Sequence, residues 1–81
     1  MRVTVRLFAR LRDIAGAEEL TREIPAGATI GSVWRELAAE FPALGEYERS
    51  ISTAVNLDYA RMNTHVHEGD EIAFLPPVSG G

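Results

Sequence analysis

Between Thr29 and Pro42 the apolar residues fall at Ile30, Val33, Trp34, Leu37, Ala38 and Phe41, the spacing of one face of an α-helix. Thr29 is placed to cap that helix, and Pro42 to end it, because proline disfavours helical backbone in the residue before it. Arg35, Glu36 and Glu40 lie off the stripe and face water. One long amphipathic helix in 81 residues limits the architecture severely. It buries a single stripe, so what it covers must itself be a surface with one apolar face.

The flanking segments have the period of such a surface. Arg2 to Phe8 alternates strictly, with Val3, Val5 and Leu7 on one side and Arg2, Thr4, Arg6 and Phe8 on the other. Ala9 to Gly16 changes period: Leu11, Ile14 and Ala15 recur at helical spacing, Arg10, Arg12 and Asp13 point to solvent, and Gly16 suits a left-handed helix terminus. Glu18 to Ile24 reads as a charged edge strand, stopped by Pro25 in the turn Pro25-Ala26-Gly27. After the helix, Pro42 to Ser50 is a polar connector anchored by Leu44 and Tyr47, and Ile51, Thr53 and Val55 alternate in a third strand. Asn56-Leu57-Asp58 forms a turn, a short strand is expected around Ala60 to Met62, and Gly69 supplies a positive φ in the turn His67-Glu68-Gly69-Asp70. Glu71 to Leu75 is the last strand, with Ile72 and Phe74 toward the core and Ala73 and Leu75 outside. The order β, β, long helix, β, β, β predicts an α+β roll: a mixed sheet of four to five strands with one main helix on one face.

Composition narrows the function classes. The chain has no cysteine, which removes disulfides, thiolate metal sites and a cysteine nucleophile. A formal net charge of −4 speaks against a phosphate-binding surface, so no nucleic-acid partner is expected, and an acidic body suits a basic protein partner. No apolar run reaches bilayer length and the alternating N-terminus lacks a signal-peptide core, so no membrane partner is expected and a cytoplasmic location is. All eight basic residues are arginine. An activated acyl group would therefore find neither lysine nor cysteine in its own chain to attack.

Self-contained catalytic signatures are missing. His65 and His67 share a side of an extended segment, but without a carboxylate at ligand spacing they make no closed metal site, and His67 with Asp70 is an unsupported dyad. No Gly-rich phosphate loop or nucleophile elbow occurs. What stands out is the end of the chain, Phe74-Leu75-Pro76-Pro77-Val78-Ser79-Gly80-Gly81. Two prolines withhold donors from any further sheet pairing and favour an extended path. We therefore divide the chain into a body, residues 1–75, and a tail, residues 76–81, able to carry its carboxylate roughly 15 Å outward. A glycine carboxylate has no Cβ to shield its carbonyl and fits a narrow tunnel. As an electrophile it needs prior activation, for example by adenylation.

The residues Ala54-Val55-Asn56 and Glu68-Gly69-Asp70-Glu71-Ile72-Ala73-Phe74-Leu75-Pro76-Pro77-Val78-Ser79-Gly80-Gly81 closely resemble the small, sulfur-carrying subunits of molybdopterin synthase. The opening Leu7-Phe8-Ala9-Arg10-Leu11-Arg12-Asp13-Ile14-Ala15-Gly16 is similar to that family's first strand and helix. The resemblance implies the ubiquitin-like β-grasp fold, in agreement with the roll read from periodicity. It implies that Gly81, preceded by Gly80, is adenylated with ATP by an activating enzyme akin to the ubiquitin activators, and is then converted to a thiocarboxylate. This chain itself binds no cofactor in that scheme. The tail, with Pro76, Pro77, Val78 and Ser79, then enters the active site of a large subunit, in a heterotetramer of two small and two large subunits. There its sulfur passes to cyclic pyranopterin monophosphate in molybdenum cofactor biosynthesis. By the same resemblance Phe8, Tyr59 and Leu75 form an apolar patch for both partners, and Arg12 adds a charged contact. Phe8 and Leu75 are also placed outside by strand parity, whereas Tyr59 rests on the resemblance alone.

Three other readings compete: a sulfur carrier for thiamine, cysteine or tRNA thiolation, a ubiquitin-like modifier joined to target lysines, and a binding module whose glycine tail is incidental.

Overall fold

The computed structural model describes residues 1–77, and the roles expected of Val78, Ser79, Gly80 and Gly81 lie outside the described residues. Five strands form one sheet: β1 (Arg2–Leu7), β2 (Glu19–Glu23), β3 (Ser52–Val55), β4 (Asp58–Tyr59) and β5 (Glu71–Leu75), in the spatial order β2-β1-β5-β3-β4. β1 and β5 are parallel neighbours at the centre, and the other pairs are antiparallel. Two α-helices, α1 (Ala9–Ala15) and α2 (Ile30–Glu40), and a 3₁₀ segment over Pro42–Tyr47 complete the body. This is the ubiquitin-like β-grasp roll.

The core lies between α2 and one face of the sheet. Val3, Val5 and Leu7 of β1 and Ile72 and Phe74 of β5 are buried against Ile30, Val33, Trp34 and Leu37 of α2. The stripe read from the sequence is therefore the buried stripe. Trp34 and Phe74 meet with ring centroids 4.9 Å apart at a tilt of 53°. At the edge, β2 carries Glu19 and Glu23, charges that discourage pairing with a further strand.

Local rules set the ends of the helices. Gly16 terminates α1 at φ 78° and returns its N–H to the carbonyl of Arg12. Thr29 caps α2: its hydroxyl accepts from the N–H of Ser32 at 3.2 Å, and Ser32 Oγ accepts from the N–H of Thr29 at 2.9 Å. Thr29→Ala should lower stability by about 1 kcal/mol in urea denaturation, and Thr29→Ser should restore most of it.

The strand expected around Ala60 to Met62 is not formed. The fourth strand sits earlier, at Asp58–Tyr59, and the following segment feeds the first turn of α2 instead. The carbonyls of Thr64 and Met62 accept from the N–H groups of Ile30 at 3.0 Å and Gly31 at 2.7 Å, two of the donors that a helix start leaves unpaired. Gly31 permits that approach, since a Cβ there would stand 3.1 Å from the Met62 oxygen. The polar connector at Pro42 is a 3₁₀ segment rather than a loop, pinned by fully buried Leu44.

Candidate functional site

Among the described residues no helix covers the second face of the sheet, and strand register dictates what it displays. Arg6 stands opposite Ala73, Ala73 opposite Ala54, and Ala54 opposite Tyr59, so one row crosses four strands on that face. One step toward the end of β5, Leu75 stands opposite Ser52, and Phe8, two residues after Arg6 with extended backbone, continues that face just past the end of β1. Phe8 and Leu75 thus flank each other where β5 ends, and Tyr59 rises at the far side across a floor of two alanines.

Phe8 is 38% exposed and Tyr59 83%, while Leu75 is half-buried. Parity placed Phe8 and Leu75 outside, and both are on the open face, though Leu75 is less exposed than a free side chain. The guanidinium of Arg6 lies 5.7 Å from the centroid of the Phe8 ring and 4.0 Å from the Glu71 carboxylate. The face is therefore apolar beside Leu75 and charged beyond Arg6, where Arg2 and Glu23 pair at 2.9 Å. Arg12 stands apart from these rows on the exposed side of α1, with its Nε 3.9 Å from neighbouring Asp13. Pro76 is half-buried and Pro77 exposed at the end of β5, so the chain leaves the body beside Phe8 and Leu75.

Backbone conformation marks the same face. Three described non-glycine residues have left-handed φ: Ala9 at 50°, Asn56 at 51° and Leu57 at 75°. Ala9 follows Phe8 at the corner between β1 and α1. Asn56 and Leu57 form the two-residue loop between β3 and β4, closed by the pair Val55 and Asp58. Leu57 is 90% exposed and shares a hollow with Arg6, Asn56 and Glu71. Sequence reading took it only as a turn residue.

The histidines sit elsewhere. His65 Nδ1 lies 3.0 Å from the Gly27 carbonyl, and the His67 ring is 82% exposed, 3.8 Å from Asp70. Asp70 instead accepts from the His67 N–H at 2.7 Å and from Asn56 Nδ2 at 3.0 Å, which holds the turn before β5. Among the described residues, no three His, Asp or Glu side chains gather as a metal set, and no helix is long and apolar enough to cross a membrane.

The sequence profile of the ThiS family matches residues 5–81. The chain belongs to the ThiS family. Among its curated relatives is the molybdopterin synthase sulfur carrier subunit of Arabidopsis thaliana, 38% identical over 98% of this chain and 82% of that protein. Among solved structures, SAMP1 of Haloferax volcanii superposes with a TM-score of 0.85 at 30% identity, covering all of both chains. The complex of subunits 1 and 2 of the molybdopterin-converting factor from Helicobacter pylori contains a chain matching at a TM-score of 0.70 and 28% identity, again over the full length of both. The ThiS match takes in both the open face and the Gly80-Gly81 terminus.

Proposed function

We propose that this ThiS-family chain is the sulfur-carrier subunit of molybdopterin synthase. The observation that carries the reading is the juxtaposition at the end of β5. The strand leading to Gly80-Gly81 finishes at Leu75, beside Phe8 and one step past the row of Ala73, Ala54 and Tyr59, so one apolar surface stands where a partner receiving the tail would sit. The likeness to the Arabidopsis relative and to the Helicobacter complex of subunits 1 and 2 supports a large synthase subunit as the partner class, and the assembly proposed is a heterotetramer of two small and two large chains.

In the proposed cycle the Gly81 carboxylate attacks the α-phosphorus of ATP in an activating enzyme, releasing pyrophosphate and leaving an acyl adenylate. A sulfur nucleophile then displaces AMP, and the product is a thiocarboxylate. That group is ionised and nucleophilic at neutral pH, as a thiol of low pKa would be. In the large subunit its sulfur forms a bond to a carbon of cyclic pyranopterin monophosphate as a carbon–oxygen bond there breaks and the oxygen leaves protonated. Water then cleaves the acyl–sulfur bond, returning the Gly81 carboxylate and leaving a thiolate on the pterin, and a second charged tail supplies the second sulfur. The large subunit supplies the acid, the base and the phosphate-binding groups. Phe8, Tyr59, Leu75, Pro76 and Pro77 position the donor, and the absence of lysine leaves the adenylate no ε-amine in its own chain.

A second reading, a carrier for another thiolation pathway or a protein modifier, is favoured by the likeness to SAMP1, a small archaeal modifier protein. Three measurements separate them. Intact mass after incubation with the activating enzyme, ATP and a sulfur donor should show one oxygen replaced by sulfur, and that material with the large subunit and precursor should yield molybdopterin. Thiocarboxylate without molybdopterin would move the chain to another pathway; lysine-linked conjugates in extract would make it a modifier.

A further inference from the structure

The loop between β3 and β4 is a type I′ turn by its backbone, with positive φ at both central residues, Asn56 and Leu57. Asparagine tolerates that region, and glycine is the favoured residue after it. A leucine there is strained, because its Cβ crowds the following carbonyl. Strain of this kind persists only where something else holds the backbone. Asn56 does so: its N–H donates to the Glu71 carbonyl at 2.8 Å, its Oδ1 accepts from the Glu71 N–H at 2.9 Å, and its Nδ2 donates to Asp70 at 3.0 Å. Leu57 contributes to none of these bonds, is absent from the apolar cluster of the core, and exposes 90% of its surface.

So the chain holds a bulky apolar side chain in water, in a conformation that costs stability, two residues from Tyr59 and beside Arg6 on the open face. We propose that Leu57 is a partner-contact residue that extends the docking face past Tyr59. Its occupant is an apolar recess on the large subunit, continuous with the surface that covers Tyr59, with polar groups at the rim meeting the Arg6–Glu71 pair that shares the hollow with Leu57. The proposal rests on the docking reading above. It adds a residue that neither strand parity nor the resemblance marked.

The test titrates the full chain into the large subunit by calorimetry and follows thermal unfolding of the free chain. Leu57→Gly creates Asn-Gly, the preferred type I′ pair, and should raise Tm by about 3–6 °C while weakening Kd by about tenfold or more. Leu57→Asn, polar but at ease with positive φ, should move both quantities in the same directions. Leu57→Met should keep Kd within about threefold, since it preserves apolar volume. Tyr59→Ala separates the two levels of the argument. If Leu57→Gly binds like the parent while Tyr59→Ala binds weakly, Leu57 is a spectator and the docking face stands. Unchanged binding in both variants removes the docking face and this proposal together. A lowered Tm in Leu57→Gly overturns the proposal, because Leu57 would then be supporting the fold.

Discussion

A chain shortened by Gly81, or extended by one residue beyond it, is expected to transfer no sulfur and yet to melt with the parent protein. The two halves of that expectation have separate causes. The described core ends at Phe74, and β5 completes its pairing with β1 and β3 by Leu75, so the described packing and sheet pairing are built from residues that precede the tail. Adenylation and sulfur transfer, by contrast, depend on where one carboxyl carbon stops inside a partner. One added residue shifts an extended chain by about 3.3 Å, against the roughly hundredfold loss that a 1 Å misplacement of reacting atoms can bring. An added side chain would also place a Cβ next to the carbonyl under attack. Intact-mass detection of thiocarboxylate, alongside thermal unfolding, checks both halves. Retained sulfur loading would displace Gly81 from the proposed role, and a fall in Tm would mean that the terminus belongs to the fold.

How much of this was legible in the sequence depended on whether a residue's environment writes a period. β1 was legible because Val3, Val5 and Leu7 alternate with polar residues over a full strand, and α2 because its stripe runs three turns. Parity then placed Phe8 and Leu75 on the open face without any contact being known. It could not find β4, since a two-residue strand has no period; Tyr59 is in place because register with Ala54 puts it there. The residues after it are apolar for another reason, that Met62 and Val66 pack under the start of α2. Ala73 was placed outside by parity, whereas Ala54 was silent because alanine fits either face of a sheet. Their smallness is what leaves a floor between Phe8, Leu75 and Tyr59. Leu57 read as part of a turn, and only its positive φ distinguishes an ordinary turn residue from a strained one.

The largest effect on the fold itself is expected at Trp34. Its side chain is fully buried and lies against Phe74 of the central strand, so Trp34→Ala empties space between α2 and the sheet that neither neighbour can refill. Large-to-small changes of this kind cost about 3–5 kcal/mol. A domain of this length has a total stability of only about 4–12 kcal/mol. The variant should lose at least 12 °C or so of Tm, and it will be partly unfolded at 37 °C if the parent lies at the low end of that range. Trp34→Phe discriminates the cause. The indole N–H meets no acceptor among the described residues, so phenylalanine gives up no hydrogen bond and keeps the aromatic contact with Phe74. It should cost well under half as much in urea denaturation. Equal losses for the two variants would show that the N–H has a partner essential to the fold; a loss below about 1 kcal/mol for Trp34→Ala would show that α2 does not rest on β5 through this residue. Because Phe74 and Leu75 are consecutive on β5 and point to opposite faces, the same cavity also loosens the strand that presents the docking face. Trp34→Ala should therefore bind the large subunit less tightly even where it remains folded, whereas Trp34→Phe should bind as the parent does.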